Sequence, residues 1–450
     1  MDPERLAPAL AAERERFERT HPRAAARHAA ASAMLGGVPM PWMMRWAGGF
    51  PIVAAHAHGA RLFDIDGHQY VDFCLGDTGA MAGHAPAPVV EAASARLAAG
   101  TTLMLPTEDA EIAAAQLAER FGLPRWMFTL SATDANRHAL GIARHVTGRD
   151  KVLSFSYSYH GAVDETFAVR GEDGGTVARE GSVGPPVDVA VTTRAIEFND
   201  VDALREALAP RDVACVIAEP AMTNMGIILP EPGYHDQLRR LTREAGTLLV
   251  IDETHTFSAG PRGATGAWGL EPDLLTIGKA IAGGVPAGAL GVSDDLADRI
   301  LGDPQADLED TGGIGGTLAG NALSLAAMRA TLAEVLTPDA FAQATAVADR
   351  LRDGIEAVIA THGLAWHVRQ LGARVEYGFT AVPPRNGSES RREQAPELER
   401  FLHLHALNRG VLVTPFHNML LASPATSHAD ADRHTEVFAE AVAQVLRIRE

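Results

Sequence analysis

The sequence predicts an α/β fold in which a mostly parallel central sheet is covered by helices on both faces and joined to a small α+β domain. Three observations carry that expectation. Between residues 85 and 325, the runs RWMFTLS, KVLSFS, VACVIAEP, TLLVIDE, LLTIGK and PAGALGVS are apolar at almost every position, as strands buried on both faces are. Helical stretches separate them, the alternation of a sheet wrapped by helices. Beyond Asn321 the pattern changes to long helices (ALSLAAMRATLAEVL and a second reaching about residue 361), then to the strand-like ARVEYGF and VLVTP and a closing helix.

Taken in order, the chain opens on a charged, Ala-rich segment that reads as a polar helix and not as an export signal, because it has no apolar core. A Pro/Met/Trp-rich crossing follows (GGVPMPWMMRWAGGFP). Next, ARLFDIDGHQYVDFC alternates apolar and polar residues around an Asp-Gly turn, which predicts a β-hairpin. We therefore expect an N-terminal arm and hairpin segment over 1–84 that joins the small domain, a large domain over 85–325 and a C-terminal small domain over 326–450. The polar stretch PPRNGSESRREQAPE, 383–397, reads as a mobile loop.

A chain of 450 residues is long enough for two unequal domains. Its formal charge of −18, with no compensating basic run, argues against nucleic acid or an anionic membrane as partner. No apolar stretch approaches a bilayer span, and a cytoplasmic location is expected. Of the two cysteines, Cys74 and Cys215, the second lies within VACVIAEP and reads as a buried reduced thiol. His56 with His58 and His403 with His405 are spaced i,i+2 but lack an acid or cysteine to complete a ligand set, so no metal site is expected. There is no Walker A loop, nucleophile elbow or dinucleotide fingerprint.

Two strand-like runs end on ionisable residues, Leu248 to Ile251 on Asp252 and Leu274 to Ile277, through Gly278, on Lys279. Such groups are costly at the end of a buried strand unless a partner or chemistry requires them. The pair suits pyridoxal 5'-phosphate, with the lysine forming a Schiff base and the acid keeping the pyridine nitrogen protonated, although many α/β enzymes end strands in this way. FTLSATDANRHALGIARHVTGR passes from a strand through Ser131, Ala132 and Thr133 into a helix, as at a phosphate site or an ordinary N-cap. After Lys151 to Ser156 come Tyr157, Ser158, Tyr159, His160 and Gly161, where an aromatic ring could stack on a planar cofactor or belong to the core.

In this order, SATDA, TGRDKV followed by SYHG, EPAMTNMGIILP, VIDETHT, TIGKAIAGGVPAGALG and GTLAGNALSLAA resemble the class III aminotransferases of the fold-type-I PLP-dependent enzymes. Within that family the branch containing glutamate-1-semialdehyde aminomutase is most similar, and the resemblance spans roughly residues 35 to 445. It implies pyridoxal 5'-phosphate as cofactor, Lys279 as the Schiff-base lysine and Asp252 as partner of the ring nitrogen. It places Ser131, Ala132 and Thr133 at the phosphate, Tyr159 over the ring with His160 beside it, Asn224 near the phenolic oxygen and Glu219 at the adjoining strand end. Thr317 matches a threonine that reaches the phosphate of the neighbouring subunit, which implies a homodimer with shared active sites.

The departures from the family pattern concern specificity. Ala132 stands where Gly is usual, and Thr254 replaces a valine. His255 follows it, and we assign this histidine no acid/base role, since filling space or bonding locally is the plainer reading. The arginine that binds substrate carboxylate in the aminomutase branch counts to Met43, beside Trp42, and its late glutamate counts to Met419. These losses predict a larger, more apolar substrate. They favour a ping-pong aminotransferase, moving an amino group from an amine or amino acid to a carbonyl acceptor, over an intramolecular aminomutase. A PLP-binding protein without turnover is a third class, opposed by the retention of Lys279, Asp252 and Asn224. A register two residues on would make Arg45 the carboxylate ligand. Arg374, in GARVEYGF, is a further candidate, with a surface arginine on an edge strand as its alternative.

Overall fold

The computed structural model describes residues 3–183, 187–304, 306 and 313–449. Residues 1–86, 339–383 and 393–450 form one compact unit, and residues 87–338 with 384–392 form the other. The first unit begins with α1 (Pro3–Thr20) and α2 (Pro22–Ala30), followed by β1 (Ala54–His58), β2 (Arg61–Asp64) and β3 (Gln69–Asp72), which pair antiparallel in turn. β2 and β3 are the hairpin expected from the Asp-Gly signal. Gly67 takes φ +94°, a left-handed conformation that an L side chain resists. Tyr70 donates to Asp64 Oδ2 at 2.7 Å and its oxygen lies 2.8 Å from His21 Nε2, which ties the hairpin to the arm.

The second unit contains α3 (Ala87–Ala99), α4 (Glu108–Phe121), β4 (Arg125–Thr129), α5 (Ala132–Thr147), β5 (Lys151–Phe155), a short hairpin of β6 (Ala168–Arg170) and β7 (Thr176–Ala178), β8 (Thr193–Ile196), α6 (Val201–Leu208) and β9 (Val213–Ala218). It continues through α7 (Tyr234–Ala245), β10 (Leu248–Asp252), α8 (Gly263–Ala267), β11 (Leu274–Gly278), β12 (Gly288–Val292), α9 (Asp294–Leu301) and α10 (Ala322–Ala330). A seven-stranded sheet runs in the order β4-β12-β11-β10-β9-β5-β8, and β12 alone opposes the direction of the others. The strands are apolar at nearly every position because each face meets helices. Val216 and Ala218 of β9 pack with Leu204, Leu208, Leu238 and Leu241 of α6 and α7. Cys215 and Ile217 pack in a second cluster with Ala139, Leu140 and Ala143 of α5. Both cysteines are free and buried. This unit runs past residue 325, because α10 packs on α3 and α4.

The first unit resumes with α11 (Pro338–Thr361), β13 (His367–Leu371) and β14 (Arg374–Gly378). After α12 (Gly387–Glu393) come α13 (Pro396–Leu407), β15 (Val411–Leu412), β16 (Met419–Leu421) and α14 (His428–Arg449). β15 adds to β3 in parallel, and β14 is the middle strand between β13 and β16. No helix among the described residues is long and apolar enough to cross a membrane.

The stretch 383–397 departs from the expected mobile loop, since most of it is α12 and the start of α13. An Asn N-cap missed in the sequence explains the helix: Asn386 Oδ1 accepts from Glu389 N at 2.9 Å, while Glu389 Oε2 reaches back to accept from Arg385 N at 2.8 Å. Ser388 Oγ also donates to Glu197 Oε1 at 2.6 Å, and Ser390 donates to the Met225 carbonyl. Polarity here serves tethering.

The amphipathic arm is anchored by Leu6, Leu10 and Phe17, all buried, and by one buried acid, Glu13. Its carboxylate accepts from Asn408 Nδ2 at 2.7 Å and Arg409 Nη1 at 3.0 Å at the end of α13. Burial would raise this carboxyl, but His405, Asn408 and Arg409 outweigh it and hold it down at about 2. A depressed folded value stabilises the fold above the ordinary carboxylate range and loses that contribution as pH falls toward the folded value. Thermal unfolding midpoints should therefore drop between about pH 4.5 and pH 2 more steeply in the native chain than in Glu13→Gln. Parallel curves for the two proteins would remove Glu13 from the acid response.

Candidate active site

β4, β5, β9, β10 and β11 run parallel, so their C-terminal ends lie along one edge of the sheet, where open α/β sheets bind ligands. Asp252 ends β10 and is 3% exposed. Its Oδ2 accepts from Asn136 Nδ2 at 2.9 Å and lies 3.0 Å from His160 Nδ1, and its Oδ1 accepts from the Thr254 amide at 3.1 Å. Burial opposes ionisation, but the hydrogen bonds from His160, Thr254 and Asn136 win and hold the carboxyl at about 2. The group is a fixed buried anion.

Asn136 went unnoticed in the sequence. It is fully buried on α5. Its amide also donates to the His160 carbonyl at 3.0 Å, and its oxygen accepts from Thr276 Oγ1 at 2.5 Å. The available signal was a polar residue on a helix face otherwise made of Ala135, Ala139 and Leu140. Asn136→Leu should lower the unfolding free energy of the cofactor-free protein by about 3 kcal/mol, because buried partners lose their hydrogen bonds. A denaturant titration reads this directly, and an unchanged midpoint would contradict it.

The remaining strand ends are occupied as follows. Ser131 is the N-cap of α5, its Oγ accepting from the Asp134 amide at 3.3 Å and donating to Asp134 Oδ2 at 2.9 Å. Ala132 and Thr133 begin the helix, so the first-turn N–H groups are without intrahelical acceptors. Gly278 makes room for Ala132, since a Cβ on Gly278 would lie 2.9 Å from the Ala132 nitrogen. Gly161 fits against Thr133 in the same way, with 2.1 Å left between its would-be Cβ and Thr133 Oγ1. Tyr159 is half-buried and meets Phe167 edge-on at 6.3 Å. Glu219 is buried, receives the Thr223 hydroxyl and is pushed up to about 7 by burial. Asn224 donates to the Tyr157 carbonyl at 2.9 Å. Thr317 is exposed, and among the described residues no hydrogen bond joins it to this cluster.

Lys279 follows β11 with φ +50°, a left-handed conformation uncommon for a residue with a side chain. Its Nζ lies 2.7 Å from Nε2 of His255, three residues beyond Asp252. His255 is thus within hydrogen-bonding distance of the lysine.

The residues fit a pyridine-type cofactor. Two buried polar atoms beside Asp252, His160 Nε2 and Thr254 Oγ1, have no protein partner. With the buried carboxylate, the first turn of α5 and the lysine, the strand ends offer an anion, phosphate-binding N–H groups and an amine along one edge.

The first unit carries the residues considered for specificity. Trp42 is half-buried against Phe416 at 5.6 Å, while Met43 and Arg45 are exposed. Arg374 is not on an edge strand. It lies on the central β14 at 1% exposure and donates to Thr78 Oγ1. Met419 is buried on β16, in register with Glu376 of β14. Burial pushes Glu376 up to about 8, with Arg374 pulling the other way. Arg374 and Glu376 are spaced i,i+2 and so share a face of the strand. A count of charges lost at 43 and 419 therefore overlooks a buried arginine and acid on the strand beside Met419.

The family described as Aminotransferase class-III matches residues 42–442, and the chain belongs to it. It is an enzyme family that uses pyridoxal phosphate, on a fold-type-I scaffold. Over 391 residues the chain is 35% identical to a glutamate-1-semialdehyde 2,1-aminomutase of Roseiflexus castenholzii, covering 86% of this chain and 88% of that one. The crystal structure of a glutamate-1-semialdehyde-aminomutase from Pseudomonas aeruginosa PAO1 is 47% identical over 99% of each chain, with a TM-score of 0.96, and a variant of it in complex with PMP matches equally. An omega-transaminase from Sphaerobacter thermophilus is 28% identical, covering 95% of this chain and 98% of its own, with a TM-score of 0.85.

These likenesses overturn the expected ping-pong aminotransferase. Similarity to aminomutases runs over nearly the whole chain and exceeds that to the transaminase, and the two substitutions counted against it are single positions, Met43 exposed and Met419 buried beside Glu376.

Proposed function

We propose that this enzyme is a 2,1-aminomutase, moving an amino group between neighbouring carbons of one substrate of the glutamate-1-semialdehyde kind. The 47% identity over 99% of the chain to a protein described as such an aminomutase carries the reading. The strand-end residues are consistent with it. Pyridoxal phosphate, when bound, supplies an electron sink and a carbon that can carry nitrogen. Asp252, anionic at any working pH, would hold a proton on the ring nitrogen, with His160 and Asn136 fixing its carboxylate. Ser131, Ala132 and Thr133 would meet the phosphate through the first turn of α5, Tyr159 would cover the ring, and Asn224 and Glu219 would flank it. Lys279 Nζ would take a proton from the substrate carbon that loses hydrogen and supply one to the carbon that gains it, the electron pair being held between the two events by the sink that the cofactor would supply. Thr317 would serve a neighbouring subunit in a homodimer.

The experiment supplies glutamate-1-semialdehyde with no amino donor or acceptor. A 2,1-shift yields an isomer of unchanged mass, with the amine on carbon 1 and the ketone on carbon 2. Turnover that appears only when a second carbonyl compound is added would sink the proposal.

A further inference from the structure

We propose that His255 is a positioning residue for Lys279, accepting a hydrogen bond at Nε2 and fixing the lysine nitrogen while it carries a proton between substrate carbons. The inference deepens the proposed function and rests on its reading of Lys279 as the proton carrier. The two side chains leave the ends of adjacent parallel strands, β10 and β11, and their nitrogens stand 2.7 Å apart. Two N–H donors do not face each other at that separation, so the pair shares one proton. An ammonium group has donors only, and a neutral imidazole with hydrogen on Nδ1 offers Nε2 as its acceptor.

The neighbouring ionisable groups are engaged elsewhere. Asp252 bonds His160, Asn136 and Thr254, Glu253 accepts from Thr256, Ala264 and Thr265, and Glu219 holds Thr223. The left-handed backbone at Lys279 aims its side chain from a fixed base, and the imidazole fixes the other end. Nζ takes a proton from one carbon, whose C–H electron pair would pass to the electron sink that the cofactor supplies, and gives a proton up where that pair returns to form the new C–H bond. The Nζ hydrogen that faces His255 stays out of the exchange.

The test compares His255→Leu and His255→Gln with the native chain. In the cofactor-free proteins, acylation of Lys279 by limiting acetic anhydride is followed at neutral pH by peptide mass mapping. Loss of the acceptor should change the labelling rate of Lys279 in His255→Leu by about tenfold, the scale of one charge-assisted hydrogen bond. His255→Gln, which keeps an acceptor oxygen, should stay within about twofold of the native rate. In the holoenzyme, kcat should fall about tenfold in His255→Leu with KM little changed, and recover in His255→Gln. An unchanged labelling rate in His255→Leu overturns the inference whether or not the native enzyme isomerises glutamate-1-semialdehyde. A changed rate in a protein that fails to isomerise it overturns the aminomutase reading and leaves the Lys279–His255 pairing standing.

Discussion

Lys279→Ala is expected to abolish turnover, by about 10⁴-fold or more, and to leave no pyridoxyl adduct after borohydride reduction. The amine is the one group at the strand ends that can both bond an aldehyde carbon and carry a proton, so its loss removes two functions at once. The fold should survive, because the side chain is half-buried and the core beneath β11 is built by Leu274, Leu275 and Ile277. Lys279→Arg serves as a control. It keeps the charge, but a guanidinium does not release its proton near neutrality. Peptide mapping of reduced native protein decides the matter, since an adduct on any other peptide would refute the assignment.

Asp252→Asn should leave the structure in place and cut the rate by about 10³-fold, the scale of removing a preorganised electrostatic group. The amide matches the carboxylate in shape, but it lacks the charge that would hold a proton on the ring nitrogen. Cofactor uptake should persist, because phosphate and lysine contacts arise elsewhere. In the native protein the carboxyl is held at about 2, below its ordinary 3.8, so protonation of this group should add no acid limb to the rate above about pH 4. A native rate in the Asn variant would show that the buried anion does not serve the chemistry.

The sheet was readable in advance because strands buried on both faces leave an unbroken apolar signature, and β4, β5, β9, β10, β11 and β12 each carried one. The strand-end acid and lysine were readable because a costly charge beside such a run stands out. α12 was overlooked because its Asn-Gly-Ser-Glu start was taken for loop polarity, although its Asn is an N-cap. The charge count at Met43 and Met419 misled because it followed two separate positions in the sequence, whereas Arg374 and Glu376 are buried on β14, the strand paired in register with that of Met419.

Local pattern, then, was enough for the α/β class, for the family and for the pair Asp252 and Lys279, since periodicity and motif order are properties of neighbouring residues. Folding alone could put Asn136 beneath Asp252, bury Arg374 on a central strand and bring His255 within 2.7 Å of Lys279. Each of those depends on segments far apart in the chain meeting at a hydrogen-bonding distance, and such a distance is set by packing that no linear spacing records.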